Sequence, residues 1–476
     1  MMKGWMITLV GLILLAGCTP SHRMEHPDTL HFAPLSFDLP KVVRFQLANG
    51  VQVFLREDHE LPLVTISAMF DAGSLNDPPG KSGLAQLHGS AVRGAGAGDR
   101  SADEVEATLE RIAADLSVES ESYATVLNLS LQTADLNEGV GLFTDMMRRP
   151  LFAPQRVELA RRRMLEGIRR ESDSSSVVAQ KTLVSTLYQG HALGALPTLK
   201  SVEAIEQEDI EAFHRRFIRP DNLWLAVSGD IDRKTLENLL VHLFEGWNVV
   251  YQPSPELESL PREQLPSLSL VRKNIPQTTV LMGQRGIEKS DPDLYALRVL
   301  DFILGSGSFN SRLMQEIRTR RGLAYSVYSY FQVGRRLPGL FVAGAETKNA
   351  TVAEVVGLMR KEMENLIREP VTEEELTLAK DSLINSFVFA FDDSHEIVSQ
   401  TMRLAFYGYP DDYLVRYRER LAAVTAEDVL AAARRHLRPQ VQNVVLVGDP
   451  EHPAELARQL GLPFEELESF KGGMVK

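Results

Sequence analysis

The sequence predicts an α+β protein of two homologous domains, each a mostly antiparallel sheet with helices packed on one face. The first observation behind this prediction is an internal repeat, because RRFIRPDNLWLAVSGD at 215–230 returns as RRHLRPQVQNVVLVGD at 434–449. The same offset of 219 positions aligns Tyr188 with Tyr407, and so long a period indicates duplicated domains. The second observation is that strand-like and helix-like periods occur in separate groups within each unit, which favours α+β architecture.

The elements of the first unit follow from local patterns. Residues 51–55 and 64–70 alternate between apolar and polar side chains, as half-buried strands do. Ser101 to Glu104 forms a capping box that predicts the start of a helix. Alternating leucines at 127–131 then predict another strand, and a helical stretch follows near 136–147.

The repeat also predicts the domain boundaries. We expect a first domain at 41–249 and a second at 268–476, in which Thr372 to Glu375 caps a helix that matches one in the first domain. The segment between them, 250–267, contains four prolines and no apolar period. This composition is typical of a linker.

Composition narrows the classes of function. The chain has 476 residues, of which 51 are basic and 64 acidic, so its net charge is −13. No basic surplus is present to neutralise phosphates, and nucleic acid is therefore not an expected partner. The hydrophobic fraction of 44% is ordinary for a folded soluble protein. The single cysteine excludes a disulfide framework and any multi-cysteine metal site.

The first residues indicate an exported protein. The apolar run at 6–16 is too short to span a hydrocarbon core of about 30 Å, so residues 1–17 are predicted to be a signal peptide. The sequence Leu-Ala-Gly-Cys that ends at Cys18 resembles a bacterial lipoprotein box, and the alternative is a plain signal peptide with an incidental cysteine. Thr19 follows in place of an aspartate, which favours a lipid anchor in the outer membrane facing the periplasm. Residues 18–40 are then a tether.

Motifs in both units resemble the pitrilysin/insulinase family of metallopeptidases. These motifs are Gly73-Ser74 followed by Gly83-Leu84-Ala85 in the first unit, and Arg312-Leu313 followed by Arg321-Gly322-Leu323-Ala324-Tyr325-Ser326 in the second. The resemblance covers residues 42–460. It implies that the two domains form a clam-like chamber which encloses peptide substrates.

The resemblance also implies where a zinc site would lie. Peptide-cleaving members carry His-x-x-Glu-His on the helix after Gly83-Leu84-Ala85, and a third ligand, Glu, about 77 residues later. By this register Gln86 and Ser90 occupy the histidine positions, Gly89 the position of the general base, and Gly167 that of the third ligand. We therefore expect a degenerate zinc motif, no catalytic residue of the chain's own and no bound cofactor, with zinc on a partner subunit.

Other histidines do not supply a replacement site. His88 is predicted to be a partly buried or surface residue, because it points to a different helix face from the motif positions. His22 and His26 are four residues apart but lie in the predicted tether. His395 begins a sequence like the common zinc helix, yet Ser399 stands where the second histidine would be.

A second functional element of the family is present. Active relatives supply an Arg and a Tyr seven residues apart that bind the substrate backbone and stabilise the oxyanion, and Arg318 and Tyr325 reproduce that spacing. A guanidinium can bind a carbonyl oxygen, and a phenol can donate to developing negative charge. The alternative is that Arg318 is a solvated charge at a helix end and Tyr325 a core residue of a strand.

These patterns lead to three hypotheses for function. The first is a zinc-less subunit that forms a heterodimer with a zinc-bearing homologous subunit and contributes substrate binding to peptide hydrolysis. The second is a non-enzymatic peptide-binding or scaffold lipoprotein with the same fold. The third is an active hydrolase that uses unrecognised residues. In each case the membrane is reached only through the lipid anchor, and the expected location is the bacterial cell envelope.

Overall fold

A computed structural model of the chain describes residues 40–248, 256–262, 265–391 and 393–468. Several predictions lie outside the described residues. They are the signal peptide at 1–17, lipidation of Cys18, most of the tether at 18–40, and the roles of His22 and His26.

Strands and helices alternate in groups through the first half of the chain. Its strands are β1 (Val43–Gln46), β2 (Gln52–Glu57), β3 (Leu63–Phe70), β4 (Asp115–Ser120), β5 (Thr125–Gln132) and β6 (Leu223–Gly229). Its α-helices are α1 (Leu84–Gly94), α2 (Ala102–Arg111), α3 (Leu136–Arg148), α4 (Pro154–Glu171), α5 (Ser175–Leu187), α6 (Leu199–Glu203), α7 (Gln207–Phe217) and α8 (Arg233–Leu243). Single 3-10 turns lie at Ser74–Asn76, Thr133–Asp135, Ala192–Gly194 and Pro220–Asn222.

The second half contains the same kinds of element and two π-helices. Its strands are β7 (Leu268–Arg272), β8 (Gln277–Arg285), β9 (Ala324–Gln332), β10 (Leu340–Lys348), β11 (Asn443–Gly448) and β12 (Phe464–Leu467). Its α-helices are α9 (Leu294–Asp301), α10 (Val352–Arg368), α11 (Glu373–Ser386), α12 (Ser394–Phe406), α13 (Tyr413–Ala422), α14 (Ala426–His436) and α15 (Pro453–Leu460). The π-helices are Phe302–Ser306 and Met314–Arg320, and 3-10 turns lie at Ser308–Asn310, Asn349–Thr351 and Phe387–Phe391.

The local sequence patterns predict these elements well. The alternating segments at 51–55 and 64–70 are β2 and β3, and the leucines at 127–131 lie in β5. Ser101 caps α2, because its side chain accepts the backbone N–H of Glu104 and that glutamate accepts the N–H of Ser101. Thr372 makes the same reciprocal contact with Glu375 at the start of α11.

Each half forms a six-stranded mixed sheet, which confirms the predicted α+β fold. The strand orders are β1-β2-β6-β3-β5-β4 and β12-β7-β11-β8-β10-β9. In the first sheet β2 and β6 are parallel and the other pairs are antiparallel. In the second sheet β7 is parallel to both β11 and β12, and the other pairs are antiparallel. Antiparallel pairing therefore dominates in both halves.

The repeat extends to whole elements. Helix α5 is followed 219 positions later by α12, and α7 is followed at the same offset by α14. Tyr188 and Tyr407, which the repeat aligns, are the residues that end α5 and α12. The internal sequence repeat thus corresponds to a structural repeat.

Each sheet has a large apolar core on one face. The core of the first half includes Phe70 and Phe143 and brings α1, α3 and α7 against the sheet. The core of the second half includes Phe341 and brings α9, α10 and α14 against its sheet. Removal of this apolar area from water is the main favourable term for folding in both halves.

The other face of each sheet is covered by a helix from the opposite half. Helix α5 packs Val178 and Leu183 against residues of the second sheet such as Leu281. In return, α12 packs Val398 and Met402 against the first sheet. Each sheet therefore has the predicted helices on one face. Its other face is covered by a helix that the opposite half supplies, so the two halves exchange equivalent helices.

Polar contacts also join the two halves. Glu121 accepts hydrogen bonds from Arg335 at 3.2 Å and from Arg403 at 3.0 Å. Arg335 also donates to the Tyr407 hydroxyl at 2.5 Å, and the Tyr188 hydroxyl donates to the carbonyl oxygen of Pro338 at 3.0 Å. These contacts do not test the predicted domain boundaries or the predicted linker, but they do link the two halves of the described residues.

Among the described residues, no helix is both long enough and apolar enough to cross a bilayer.

Candidate functional site

Helix α1 carries three of the four positions that the zinc motif would occupy, and its start is fixed by a buried carboxylate. Asp77 accepts the backbone N–H groups of Gly83 at 2.7 Å and Ala85 at 2.9 Å. Burial raises the pKa of Asp77 to about 6, and these hydrogen bonds oppose the shift. Gly83 has a φ of 101°, and an added Cβ would lie 2.6 Å from Met164, so the turn into α1 requires glycine.

The two positions of α1 at which the zinc motif would have histidines lie on one exposed face. Gln86 and Ser90 are both exposed, one helical turn apart, and the Ser90 hydroxyl donates to the Gln86 carbonyl oxygen at 3.0 Å. Zinc in proteins is bound by imidazole, thiolate and carboxylate. Amide and hydroxyl side chains do not fit that donor set, so no chemical step is assigned to a metal at these positions.

The remaining two positions are glycines with different surroundings. Gly89 is buried, and an added Cβ would lie 2.8 Å from the Ser120 hydroxyl oxygen. Gly167 is exposed on α4, which packs against α1, and an added Cβ there meets nothing within 4 Å. Neither glycine offers a group that could activate water or bind a cation.

His88 lies on the buried side of α1, which differs from the predicted partly buried or surface position. It is 1% exposed, and its Nε2 lies 3.0 Å from Nδ1 of His214, with Phe152 and Phe213 packed beside the pair. Burial lowers the pKa of His88 well below its usual value and that of His214 to about 4. Two neutral imidazoles in an apolar pocket act as core residues, because no carboxylate lies in the pocket lining.

The described residues contain one cluster of possible metal ligands, formed by Asp291, Asp293 and His436. One potential ligand atom from each of these side chains lies within 4.8 Å of the other two. Arg435 donates to both oxygens of Asp293 at 2.6 Å, and His436 lies 2.7 Å from the same carboxylate. The guanidinium already supplies the positive charge that a cation would bring. This group is therefore an ion-pair cluster.

A partly buried serine–histidine contact bears on the hypothesis of an independent hydrolase. His395 lies between Ser67, 2.8 Å from its Nε2, and Ser228, 3.1 Å from its Nδ1. Ser67 is 4% exposed and donates to Asn128 at 2.6 Å, and burial lowers the pKa of His395 to about 4. A nucleophile must be reachable and its base must accept a proton near neutral pH. The contact instead anchors α12 on the first sheet.

Arg318 and Tyr325 are in direct contact. Arg318 belongs to the π-helix Met314–Arg320, and Tyr325 lies near the start of β9, an edge strand of the second sheet. The guanidinium carbon lies 4.3 Å from the centre of the Tyr325 ring. Tyr325 is 80% exposed, so the alternative of a strand core residue does not describe it.

Arg318 differs from its neighbours because it has no acceptor among the described residues. Arg312 is held by Glu375 through two hydrogen bonds of 2.7 Å. Arg320 and Arg321 both donate to Glu316. The donors of Arg318 are therefore free for an oxygen acceptor of a ligand, while its guanidinium is held by a cation–π contact.

Sequence reasoning missed a third member of this group, Phe309. Its ring centre lies 4.7 Å from the guanidinium carbon of Arg318, and the side chain is 55% exposed. The available signal was a single aromatic residue inside the glycine- and serine-rich segment 305–311. We call Phe309, Arg318 and Tyr325 the aromatic–arginine cluster.

The positions on α1 and the aromatic–arginine cluster are separate within the described part of the chain. No hydrogen bond, ion pair or ring contact joins the two sets. The cluster is accessible and chemically equipped to bind a ligand oxygen, whereas α1 presents only an amide and a hydroxyl.

Comparison with known proteins gives a consistent result. The family described as Insulinase (Peptidase family M16) matches residues 52–200, and the family described as Peptidase M16 inactive domain matches residues 204–383. An uncharacterized zinc protease of Mycobacterium leprae is 31% identical over 350 residues, covering 71% of this chain and 75% of the relative. A non-peptidase homolog of Helicobacter pylori is 28% identical over 346 residues, covering 71% and 77%.

A solved structure shares the fold. The crystal structure of a peptidase M16 inactive domain from Pseudomonas fluorescens has a TM-score of 0.78 to this chain at 26% identity. The match covers 86% of this chain and 98% of that chain. The relatives thus carry names of both peptidases and non-peptidases, so the chemistry of the site has to separate the two possibilities.

Proposed function

The chain belongs to the insulinase family of peptidases (family M16), and on that premise we propose that it is a zinc-less subunit of a peptidase. In this proposal Arg318 and Tyr325 supply substrate binding and oxyanion stabilisation, and a homologous partner subunit supplies the zinc. The observation that carries the proposal is the guanidinium of Arg318, which has no acceptor in the described part of the chain and lies beside the exposed Tyr325.

The side chains on α1 support the absence of a zinc site in this chain. Gln86 and Ser90 stand one helical turn apart on an exposed face, where two histidines could otherwise bind one ion. Gly89 lies against the Ser120 hydroxyl and leaves little room for a general base. A peptidase that uses this chain would therefore need its metal and its activated water from another subunit.

The geometry of Arg318 and Tyr325 supports a role at the substrate. A guanidinium with free N–H groups can donate to the carbonyl oxygen of a bound peptide. The Tyr325 hydroxyl is exposed and can donate to the oxygen that becomes negative when water attacks the carbonyl. Donors that are already oriented toward such an oxygen stabilise the transition state most, because they need little reorganisation during the reaction.

The proposed location follows from the N-terminal sequence. Cys18 would be lipidated after removal of residues 1–17, and the folded part would face the periplasm on a tether that ends near residue 40. The membrane is then contacted only through the lipid, and the partner subunit and the peptide substrate would be periplasmic.

A second candidate function is a non-enzymatic peptide-binding or scaffold protein. It is favoured by the Helicobacter pylori relative, which is named a non-peptidase homolog, and by the lack of metal ligands on α1. Under this alternative the aromatic–arginine cluster would bind peptides without any contribution to their hydrolysis.

Affinity capture from the native host tests the proposed function. The tagged chain, expressed at its native level, is expected to recover a homologue that carries the intact His-x-x-Glu-His motif. The purified chain alone should contain no stoichiometric zinc and should not cleave peptides. Capture of nothing but further copies of this chain would contradict the heterodimer, and one zinc per chain would contradict the assignment of α1.

A further inference from the structure

The loop before the π-helix Met314–Arg320 holds an aromatic side chain at the surface. The Phe309 side chain is 55% exposed. The backbone at this residue is held in place, because the Gln315 side chain donates to the Phe309 carbonyl oxygen at 2.5 Å. Ser311 is fully buried and donates to the carbonyl oxygen of Ser308 at 2.8 Å. A single exposed apolar side chain is ordinary on a protein surface, so what distinguishes Phe309 is the contact that its ring makes.

The backbone of this loop is also strained. Ser308 has a φ of 52°, which lies in the left-handed region that residues other than glycine rarely adopt. An added Cβ at Gly307 would lie 2.5 Å from the carbonyl oxygen of Phe302, so the loop runs tightly against the preceding π-helix. Strained residues and π-helices both occur frequently at functional sites.

The contact that Phe309 makes is with Arg318. Phe309 and Tyr325 each lie within 5 Å of the guanidinium carbon, yet the two rings make no contact with each other. The rings therefore approach the guanidinium from different directions and restrict its motion. Its free N–H groups lie in the guanidinium plane, where they can donate to an oxygen atom.

We propose that Phe309 is a positioning residue for Arg318, so that the aromatic–arginine cluster presents the guanidinium edge to a main-chain carbonyl oxygen of the bound peptide. This inference rests on the proposed function of Arg318. An arginine side chain has many rotamers, and a guanidinium that is already held in place loses less freedom when it binds the carbonyl oxygen. Phe309 would thus strengthen substrate binding without touching the substrate.

The test compares Phe309→Leu, Phe309→Tyr and Arg318→Ala in the complex of this chain with its zinc-bearing partner. Phe309→Leu keeps the apolar volume and removes the ring, and an exposed cation–π contact of ordinary strength predicts a rise in KM of about 2–5-fold. Phe309→Tyr keeps the ring and should retain the wild-type KM. Phe389→Leu is the matched control, because Phe389 is 75% exposed and contacts no cation in the described residues.

Three outcomes would overturn the inference. If Arg318→Ala lowers kcat/KM and Phe309→Leu leaves KM unchanged, the proposed function stands and Phe309 is not a positioning residue. If Phe309→Tyr raises KM as much as Phe309→Leu, the ring is not what acts. If Arg318→Ala has no effect on hydrolysis, the proposed function fails, and the role of Phe309 fails with it.

A structural role is separated by thermal unfolding of the same variants. Because Phe309 is more than half exposed, Phe309→Leu should unfold at the temperature of the wild type. A lowered unfolding temperature that accompanies the change in KM would assign Phe309 to packing and contradict the inference.

Discussion

At the scale of single residues, the arginines between 312 and 321 differ in whether a carboxylate binds their side chains. Arg312 donates two hydrogen bonds to Glu375, and Arg321 donates to both Glu316 and Glu354. Such pairs orient their side chains and, where exposed, add little stability. Among the described residues, Arg318 has two aromatic neighbours and no carboxylate partner, so its hydrogen-bonding capacity remains for a ligand.

The first prediction concerns Arg318 and Tyr325. In the proposed complex with a zinc-bearing partner, Arg318→Ala should lower kcat/KM for peptide hydrolysis by about 10–100-fold, mainly through a higher KM, because a hydrogen bond from a charged donor to the bound peptide contributes about 1.5–3 kcal/mol. Tyr325→Phe should lower kcat with a smaller change in KM, because the hydroxyl contact forms mainly in the transition state. Steady-state kinetics of the reconstituted complex measure both effects.

Arg320→Ala provides the matched control for these variants. Arg320 lies on the same π-helix, is exposed and pairs with Glu316, so its loss should leave the kinetics unchanged. If Arg318→Ala and Tyr325→Phe were as active as Arg320→Ala, the peptide-binding or scaffold alternative would be favoured over a role in hydrolysis.

The second prediction concerns pH. His88 and His214 are buried, His395 is partly buried, and the pKa values of all three are lowered, to about 4 for His214 and His395. In the unfolded chain a histidine titrates near 6.5, so below that pH the unfolded state binds more protons and unfolding becomes more favourable. His214 and His395 should each lower the free energy of unfolding by up to about 1.4 kcal/mol per pH unit between about 6.5 and 4, and His88 should add to the loss in the same direction. The raised pKa of Asp77, about 6, opposes part of this loss.

Urea unfolding at several pH values between 7.5 and 4.5 measures this slope. His395→Asn should reduce the slope by about one histidine's share, whereas His242→Asn, at an exposed position, should leave it unchanged. A free energy of unfolding that stays constant down to pH 4.5 would show that the three imidazoles are not buried in neutral form.

At the scale of elements, α1 is the helix on which the predicted zinc-motif positions lie. Asp77 and Gly83 fix where the helix begins, so Gln86 and Ser90 face outward together while His88 faces the core. Helical periodicity alone gives the angular separation of these residues. It does not give which side of the helix is buried.

The third prediction rebuilds the ligands on this frame. The triple variant Gln86→His, Ser90→His and Gly167→Glu should bind about one zinc ion per chain, because two imidazoles one turn apart and a carboxylate on the packed helix match the donors of zinc. The exposed positions and the open space at Gly167 accommodate all three side chains. Metal analysis after dialysis measures the stoichiometry.

Ser90→His alone serves as the control and should retain no zinc after dialysis, since a single imidazole binds it weakly. A triple variant that folds and retains no metal would show that these positions do not converge.

Addition of Gly89→Glu to the triple variant should lower the free energy of unfolding by about 1–3 kcal/mol, because the new side chain would overpack against Ser120.

At the scale of the whole molecule, the exchange of α5 and α12 joins the two halves. Each helix belongs by sequence to one half and buries its apolar side chains on the sheet of the other. The contacts of Glu121 with Arg335 and Arg403 add polar links between the halves. Separation of the halves would expose two apolar interfaces at once.

The fourth prediction follows from this exchange. A protease site inserted into residues 249–255, which lie outside the described residues, should allow cleavage into two fragments that remain associated. The cleaved protein should elute from a sizing column at the volume of the intact chain without denaturant. Leu183→Ala together with Met402→Ala should allow the fragments to separate, because each truncation of a buried side chain costs about 2–5 kcal/mol. Separation of the wild-type fragments would contradict the exchange.

Much of the fold can be read from the sequence, because its determinants are local. Alternation predicts β2, β3 and β5, capping boxes predict the starts of α2 and α11, and the repeat predicts that the same elements recur. Arg318 and Tyr325 can be selected from their spacing together with the resemblance to a family. These signals depend on neighbours within a few residues or on comparison of one segment with another.

The sequence by itself therefore determined the two-unit α+β fold and the family, and it selected Arg318 and Tyr325 as a pair whose role in substrate binding stays a prediction. Only the tertiary structure decided that His88 is buried against His214, that Phe309 packs on Arg318, and that α5 and α12 cover each other's sheets. For the buried histidine and the exchanged helices, the physical reason is sequence separation: His88 and His214 are 126 positions apart, and no local pattern records which distant surfaces come together. Phe309 and Arg318 are close in sequence, but their contact depends on the path of an irregular loop, which no periodic pattern predicts. Burial, pairing and freedom from pairing are properties of those contacts, and they distinguish a core histidine from a ligand and a structural arginine from one that can bind a substrate.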